Sequence, residues 1–310
     1  MANTTNDKVF YAEASKGYTF KVMIDSLAVA MPRTSFRIEK KGFYHRATDQ
    51  SSHILFDVNF ARENFRPYVC HEEIVFSLNL KHLQKMVRNV KKKDSIILFI
   101  NTKDPDKLGL AIRPSGSTSG HNSRLETVFI TITRNNQPER LLALPETFTN
   151  ENGDDVKVYG HAMVIDATDF QKIKKMTTVG KTVSVEMQKG NYISFYSDNG
   201  QLYSSKLEFG EIQENPESES EEEEDSENEI KGWYAADFHM SIFILLMKLP
   251  GLCSQMQFYS PKVERYPLKI KMHAGNLGSI TVYIKDTTQI AFEDTQRRQC
   301  QTTEDLSKKI

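Results

Sequence analysis

The segment NLKHLQKMVRNVKKKDSIILFI, at residues 79–100, contains the pattern that decides the fold, because a helical pattern runs directly into a strand. Apolar residues recur at helical spacing in its first half, which predicts a helix with one buried face. Asn79 is placed to cap the N-terminus of this helix. The run that follows Asp94 predicts a buried strand. The apolar residues on the helix are Leu80, Leu83, Val87 and Val90.

The same supersecondary pattern recurs four times along the chain. The last three predicted helices are each followed by a predicted strand, which begins near Asp94, Lys181 or Ser254. Recurrence of one unit indicates a repeat architecture, in which neighbouring units bury each other's apolar faces. The predicted helices are Ser15–Met31, Asn79–Lys93, Asp166–Thr178 and Ala236–Leu249.

Two of the predicted helices carry basic residues opposite their apolar faces. Such a face is most often only solvated, and that interpretation stays open for either helix alone. Two faces of one sign in equivalent repeats favour a shared polyanion, of which the phosphate backbone of duplex DNA is the commonest. The basic residues are Lys81, Lys85, Arg88 and Lys92 on the second helix and Lys172 and Lys175 on the third.

The formal net charge of −1 is the sum of a strongly acidic insert and an otherwise basic chain. Residues 211–229 contain eleven carboxylates and no basic residue, so the formal charge of the remaining chain rises from −1 to +10. The insert has little to bury and repels itself, which predicts a disordered loop.

The composition and the motifs argue against export, membrane insertion and catalysis. The N-terminus lacks an apolar signal core, and the longest apolar run, Ile242–Leu249, is too short to span a bilayer. Three widely spaced cysteines predict free thiols, and the eight histidines lack metal-ligand spacing. No phosphate-binding loop, nucleophile elbow or paired-cysteine motif is present. We therefore expect a protein without enzymatic activity, metal or cofactor.

A polar connector separates the two halves of the chain. It follows the alternating strand pattern of Leu125–Thr133 and ends where a new strand begins near Val156. Its centre, residues 141–145, is apolar. These leucines either hold the connector to the body of the protein or leave an apolar groove beside it, and the sequence favours neither.

The stretch DQSSHILFDVNFARENFRPYVCHEEIVFSLNLKHLQKMV at Asp49–Val87 resembles the sliding clamps of the proliferating cell nuclear antigen (PCNA) family. LALPE at Leu142–Glu146 is similar to the family's interdomain connecting loop, and GSITVYIKD at Gly278–Asp286 to its closing strand. The resemblance spans about Phe10–Ile290 and implies an α+β DNA-clamp fold. In this fold two similar domains, each of two β-α-β-β-β repeats, form a closed homotrimeric ring with helices inside and sheets outside.

Domain bounds and a DNA-binding surface follow from the resemblance. Val22, Ala28 and Ser241 stand where the family commonly has basic residues, which implies uneven DNA contact around the ring. The implied domains are 1–133, a connecting loop at 134–155, 156–292 with the disordered acidic loop 211–229, and a polar tail at 293–310. The implied DNA-binding residues are Lys21, Lys85, Arg88, Lys172, Lys175 and Lys248, supplemented by Lys81 and Lys92.

The resemblance also implies two protein-binding surfaces. Subunits pair edge to edge, and partner proteins dock a short peptide between the connecting loop and the C-terminal strand. Lys285-Asp286 replaces the family's usual Ala-Pro pair, which implies an altered partner preference. The implied trimer-interface residues are Leu125, Val128, Ile130, Ile132, Leu202, Tyr203 and Leu207. The implied groove residues are Ile54, Phe56, Leu142, Leu144, Pro145, Tyr283 and Ile284.

The expected function is that of a clamp that encircles double-stranded DNA without sequence preference. It would serve as a processivity factor and a docking platform for DNA polymerase, a clamp loader and other peptide-motif proteins of replication and repair, in the nucleus or at a viral replication site. Two alternatives remain at this point. An acidic-tract chaperone for histones or other basic proteins would explain the insert but not the basic faces. A monomeric processivity factor would hold DNA by charge alone.

Overall fold

The computed structural model describes residues 7–115, 125–135, 146–150, 153–188, 191–200, 202–211 and 233–307, with side chains up to residue 299. Within these ranges the chain is α+β and rich in sheet, as predicted. The apolar centre of the connector lies outside the described residues, as does the acidic insert after Glu211.

Five α-helices and three short 3₁₀ helices form in the described ranges. None of these helices is both long and apolar enough to cross a bilayer. The α-helices are α1 (Gly17–Ala30), α2 (Leu80–Val87), α3 (Ala167–Phe170), α4 (Met240–Leu246) and α5 (Thr287–Ser307). The 3₁₀ helices are Arg62–Asn64, Gln171–Thr178 and Leu249–Gly251.

Strands make up most of the remaining described chain. The first ten are β1 (Lys8–Ala14), β2 (Arg33–Glu39), β3 (Gly42–Thr48), β4 (Ile54–Ala61), β5 (Tyr68–Cys70), β6 (Ile74–Asn79), β7 (Ser95–Asn101), β8 (Lys107–Arg113), β9 (Glu126–Thr131) and β10 (Thr133–Arg134). The others are β11 (Thr147–Thr149), β12 (Asp155–Lys157), β13 (Tyr159–Asp166), β14 (Thr182–Gln188), β15 (Tyr192–Asp198), β16 (Ser204–Phe209), β17 (Trp233–His239), β18 (Gln255–Pro261), β19 (Leu268–Ala274) and β20 (Gly278–Ile284).

The four predicted helices form, but all four α-helices are shorter than predicted, α1 being Gly17–Ala30 instead of Ser15–Met31. α2 ends at Val87 instead of Lys93, and the carboxylate of Asp94 accepts a hydrogen bond from the backbone N–H of Lys91 at 2.8 Å, which stabilises a turn there. The third helix changes to 3₁₀ geometry after Phe170. In the fourth, residues 236–239 are strand, because β17 pairs with β14 along its whole length.

Backbone contacts divide the chain into two units. Unit 1 comprises Met1–Ala143, Leu245–Gln255 and Lys271–Val282. One of its sheets has the strand order β5-β1-β7-β8-β9 and pairs antiparallel throughout. In its second sheet the strands β10-β6-β2-β3-β4 are neighbours. The helices α1 and α2 pack against each other.

Unit 2 comprises Leu144–Ile244, Met256–Ile270 and Tyr283–Ile310. Its antiparallel sheet has the order β16-β15-β14-β17. The core of this unit is aromatic, because four fully buried phenylalanine rings lie with centroids 5.7–6.4 Å apart. These rings belong to Phe170, Phe195, Phe243 and Phe258.

A buried carboxylate fixes the turn between β3 and β4. Asp49 is 8% exposed, and its Oδ1 accepts hydrogen bonds from the backbone N–H groups of His53 at 2.7 Å and Ile54 at 2.8 Å. Its Oδ2 accepts from the backbone N–H and the hydroxyl of Ser51. The turn therefore sets where β4 begins, and with it the position of Ile54 and Phe56.

We expect Asp49→Ala to destabilise the protein by about 2–4 kcal/mol, because it leaves several buried N–H groups without an acceptor. Asp49→Asn keeps one carbonyl oxygen and should lose less than half of that. Urea unfolding monitored by circular dichroism measures both changes. Equal losses for the two variants would show that the carboxylate does not act through these hydrogen bonds.

Candidate functional site

The second helix has the two faces that its sequence predicts. Leu80, Leu83, Val87 and Val90 are at most 2% exposed. Asn79 caps the helix as predicted, since its side-chain oxygen accepts a hydrogen bond from the backbone N–H of His82 at 3.1 Å. The apolar face is therefore fully used in packing, and the opposite face is left to solvent.

Lys81 and Lys85 lie on that opposite face, whereas Arg88 and Lys92, which are predicted to lie on the helix, follow its end at Val87. Lys81, Lys85, Arg88 and Lys92 are all exposed. No ion pair joins any of them to an acidic side chain in the described ranges. The arrangement leaves these charges available to an external anion.

Two further predicted cations lie beside this helix within unit 1. Lys21 of α1 donates a hydrogen bond from Nζ to the backbone oxygen of Arg88 at 2.8 Å, so it joins the basic end of α2. Lys248 donates from Nζ to the backbone oxygen of Asp25 at 3.4 Å, and the carboxylate of Asp25 accepts from Gln84 Nε2 at 2.9 Å. Basic side chains from α1, from α2 with the turn after it, and from residue 248 therefore lie together at the α1–α2 pair.

The first helix is otherwise buried where the resemblance expects basic residues. Val22 and Ala28 are each 7% exposed and belong to the core. A charge at either position would lose its hydration, so the weak basicity of this helix has a packing cause.

In unit 2 the third helical segment repeats the division into two faces. Ile173 and Met176 are fully buried, whereas Lys172 and Lys175 are exposed. Residues three apart eclipse each other in 3₁₀ geometry, so the two lysines share one side. Lys172 Nζ lies 2.7 Å from the Asp169 carboxylate in an exposed ion pair, which contributes little and leaves the lysine exchangeable. The sequence did not single out Lys174, which is also exposed.

The fourth helix, α4, has one buried and one exposed side although its sequence is almost entirely apolar. Ser241 is exposed and Ile244 is 50% exposed. Ile242, Phe243 and Leu246 are buried, and the Phe243 ring packs against Phe195 in the aromatic core of unit 2.

The first predicted interface strand lies at an open sheet edge. β9 has only β8 as a neighbour in the described sheet. It ends at Thr131 instead of Thr133, because the chain turns to pair Thr133–Arg134 with β6. Leu125 and Phe129 are 47% and 48% exposed. Of the other predicted residues here, Val128 is half-buried, and Ile130 and Ile132 are buried.

The second predicted interface strand also lies at an edge. β16 has only β15 beside it in the described sheet and begins at Ser204. Leu202 and Tyr203 precede it and are 91% and 61% exposed. The Asn199 side chain accepts hydrogen bonds from their two backbone N–H groups at 3.0 and 3.2 Å, so the turn presents both side chains in a defined geometry. Leu207, the remaining predicted residue, is half-buried opposite Phe195.

The predicted groove residues are described only in part. Leu142, Leu144 and Pro145 lie outside the described residues. In unit 1, Ile54 and Phe56 are each 1% exposed. In unit 2, Ile284 is fully buried, and Tyr283 is 8% exposed with its ring centroid 6.1 Å from that of Tyr159.

The two cysteines that the structure describes are not activated as nucleophiles. Burial raises the pKa of the Cys70 and Cys253 thiols to about 11, so both are protonated at neutral pH and poor nucleophiles. No cluster of three or more histidine, cysteine, aspartate or glutamate side chains suited to a metal ion occurs among the described residues.

Comparison with known proteins gives one family and several relatives. Residues 9–136 match the family model described as proliferating cell nuclear antigen, N-terminal domain. The DNA polymerase sliding clamp of Nitrosopumilus maritimus is 22% identical over 278 residues, which cover 89% of this chain and 97% of the relative. The probable DNA polymerase sliding clamp 1 of Paramecium bursaria Chlorella virus 1 is 22% identical over 276 residues, 89% of this chain and 96% of the relative.

A third relative matches a shorter part of the chain at a higher sequence identity. DNA polymerase sliding clamp 1 of Pyrobaculum aerophilum is 39% identical over 77 residues. These residues cover 25% of this chain and 31% of that relative, so the chain matches less than a third of its length.

Proposed function

We propose that this chain is a divergent sliding clamp, because residues 9–136 match the family model of the N-terminal domain of proliferating cell nuclear antigen. In this role it acts as a DNA polymerase processivity factor. It encircles duplex DNA and has no catalytic activity of its own. The archaeal and viral relatives that match most of the chain are named as clamps of this kind, which supports the proposal.

The repeat architecture is part of the proposal. Each of α1 to α4 has one strand directly before it and at least three strands after it, and the short strands β5, β10, β11 and β12 are additional to four β-α-β-β-β units. Two units would form each of the domains at 1–133 and 156–292. Their helices would line the inside of a ring and their sheets its outside.

The two open edges support assembly into a closed homotrimer. An unpaired edge exposes backbone groups that another chain can pair with. Pairing β9 of one copy with β16 of the next is a heterologous contact, and such contacts satisfy every edge when the rotation closes a ring. The exposed Leu125, Phe129, Leu202 and Tyr203 would then become buried.

The observation that carries the DNA-binding proposal is the exposed basic face of α2, with Lys21 attached to its end. Lysine and arginine contact phosphates regardless of base sequence. Lys172 and Lys175 in unit 2 and Lys248 in unit 1 extend the same chemistry. This loose attraction would steady the duplex, while the closed ring prevents its escape.

Partner proteins would dock a peptide beside the end of β20, where Tyr283 is 8% exposed and Ile284 is buried. We propose DNA polymerase, a clamp loader and other replication and repair proteins as partners, at a nuclear or viral replication site. The viral relative fits the second location. The chaperone and the monomeric processivity factor have no support from the relatives, which are all named sliding clamps.

Retention on DNA tests the proposal directly. We expect the protein, once loaded, to stay on closed circular DNA through a high-salt wash and to leave within minutes when the circle is cut, because only topology then holds it. Gel filtration of the loaded DNA before and after one restriction cut measures this. Equal release from the circular and linear forms would contradict a ring and favour binding by charge alone.

A further inference from the structure

The turn that joins α2 to β7 exposes three consecutive lysines between two buried residues. Val90 before them is 2% exposed, and Asp94 after them is 5% exposed. Lys91, Lys92 and Lys93 are all exposed, and we call these three residues the basic turn. The core of unit 1 therefore fixes both ends of the basic turn, while its side chains lie in solvent.

The Asp94 carboxylate holds the basic turn through backbone groups. Its Oδ2 accepts a hydrogen bond from the backbone N–H of Lys91 at 2.8 Å, and its Oδ1 accepts one from the backbone N–H of Ser115 at 3.3 Å. The backbone N–H of Asp94 donates to the backbone oxygen of Lys91 at 3.1 Å. A turn fastened by such local bonds presents its side chains in a defined place.

A fourth lysine reaches the same place from the start of α1. The backbone N–H of Gly17 donates to the backbone oxygen of Asp94 at 2.8 Å, and the residue before it, Lys16, is exposed. On the other side of the basic turn, Lys21 Nζ is bonded to the backbone oxygen of Arg88. The basic turn is therefore continuous with the basic end of α2 and gains a lysine from a distant part of the sequence.

So many like charges in one place repel each other. Consecutive Cα atoms are only ~3.8 Å apart, which is less than the Debye length of ~8 Å at physiological ionic strength, so water and salt screen the repulsion incompletely. No ion pair joins Lys16 or the basic turn to an acidic side chain in the part of the chain that the structure describes. This unrelieved repulsion favours an external polyanion as the ligand.

We propose that the basic turn, together with Lys16, is a second binding site for the phosphate backbone of duplex DNA, separate from the face of α2. The proposal rests on the function proposed above for the choice of DNA as the polyanion. Of these four lysines, only Lys92 is among the DNA-binding residues expected from the sequence. Lysines contact phosphates without reading the bases, so the site binds any duplex that passes the end of α2.

Three full-length variants test the site by fluorescence anisotropy. The probe is a short blunt-ended duplex of random sequence, which a closed ring cannot retain. The first variant replaces all three lysines of the basic turn by alanine, and the second replaces them by arginine. The control replaces three other exposed lysines of unit 1 by alanine, namely Lys40, Lys41 and Lys103.

We expect the alanine variant of the basic turn to bind the duplex about tenfold more weakly at ~0.1 M salt, because it loses up to three phosphate contacts. Its slope of log affinity against log salt should be shallower by about 2–3. The arginine variant keeps the charges, so its affinity and slope should stay within about twofold of the unmodified protein. The control should change the affinity by less than about threefold.

Three results would overturn the site. They are equal weakening by the two alanine variants, an unchanged salt slope in the alanine variant of the basic turn, and equal weakening by its alanine and arginine variants. Failure of the clamp is recognised separately, because retention of the unmodified protein on closed circular DNA depends on topology. A protein that binds the short duplex through the basic turn but leaves circular DNA in a high-salt wash contradicts the ring and supports the site.

Discussion

Tyr203→Glu is expected to convert the assembled ring into monomers. Tyr203 is 61% exposed in the single chain, on a turn fixed by Asn199 beside the open edge of β16. In the proposed ring this side chain is buried against the next copy. A carboxylate there would lose its hydration without a partner, at a cost of about 3 kcal/mol, which corresponds to about a hundredfold weaker association at each contact.

Sedimentation velocity over a concentration series measures this change. Tyr196→Glu is the matched control, because Tyr196 is 37% exposed on the neighbouring strand β15 of the same sheet, away from its edge. The control should keep the mass of the unmodified protein. If Tyr203→Glu stays fully assembled at the lowest concentration, β16 is not the interface.

Replacing Lys85 and Arg88 together by alanine should weaken binding to duplex DNA by about tenfold or more in moderate salt. Both side chains are exposed, Lys85 on the face of α2 opposite its core and Arg88 directly after the end of the helix. Each lost phosphate contact removes about one released counterion, so the slope of log affinity against log salt should become shallower.

The control for this experiment is a second double variant that also removes two positive charges. Lys103→Ala with Lys262→Ala removes two exposed cations that lie outside the predicted helices. Fluorescence anisotropy with a sequence-random duplex at several salt concentrations gives both the affinity and the slope. If the two double variants weaken DNA binding equally, net charge and not the face of α2 is responsible.

The features that depend on local spacing could be predicted from the sequence. The buried face of α2 and the cap at Asn79 are confirmed, because both follow from helical geometry over a few residues. The alternating pattern that became β9 was also recognisable, although the strand ends two residues early. The exposure of Lys172 and Lys175 followed from the same spacing argument.

The features that depend on distant partners could not be predicted from spacing. Residues 236–239 have a helical pattern and yet form strand, because β14 supplies a complete set of backbone partners. The competition between helix and strand at these residues is decided by tertiary packing and cannot be predicted from the spacing of apolar residues.

Gln289 is the residue that the sequence reasoning missed although a signal was present. The sequence alone presents Lys285-Asp286 as a departure from the family and residues 293–310 as a polar tail. The spacing of Asp286 and Gln289 is that of a capping box, which predicts the start of a helix. The structure places α5 at that position.

The hydrogen bonds of Lys21 and Lys248 to backbone oxygens affect how these two side chains meet a phosphate. Each ammonium group uses one proton on the protein and keeps the others for an anion. Its torsions are already restricted before the polymer arrives, so docking removes less rotamer entropy than it does for a freely rotating lysine such as Lys81. The ammonium groups of Lys21 and Lys248 are therefore pre-organised for binding a phosphate. Exposed lysines such as Lys81 can instead adjust their side-chain conformation to the position of the phosphate.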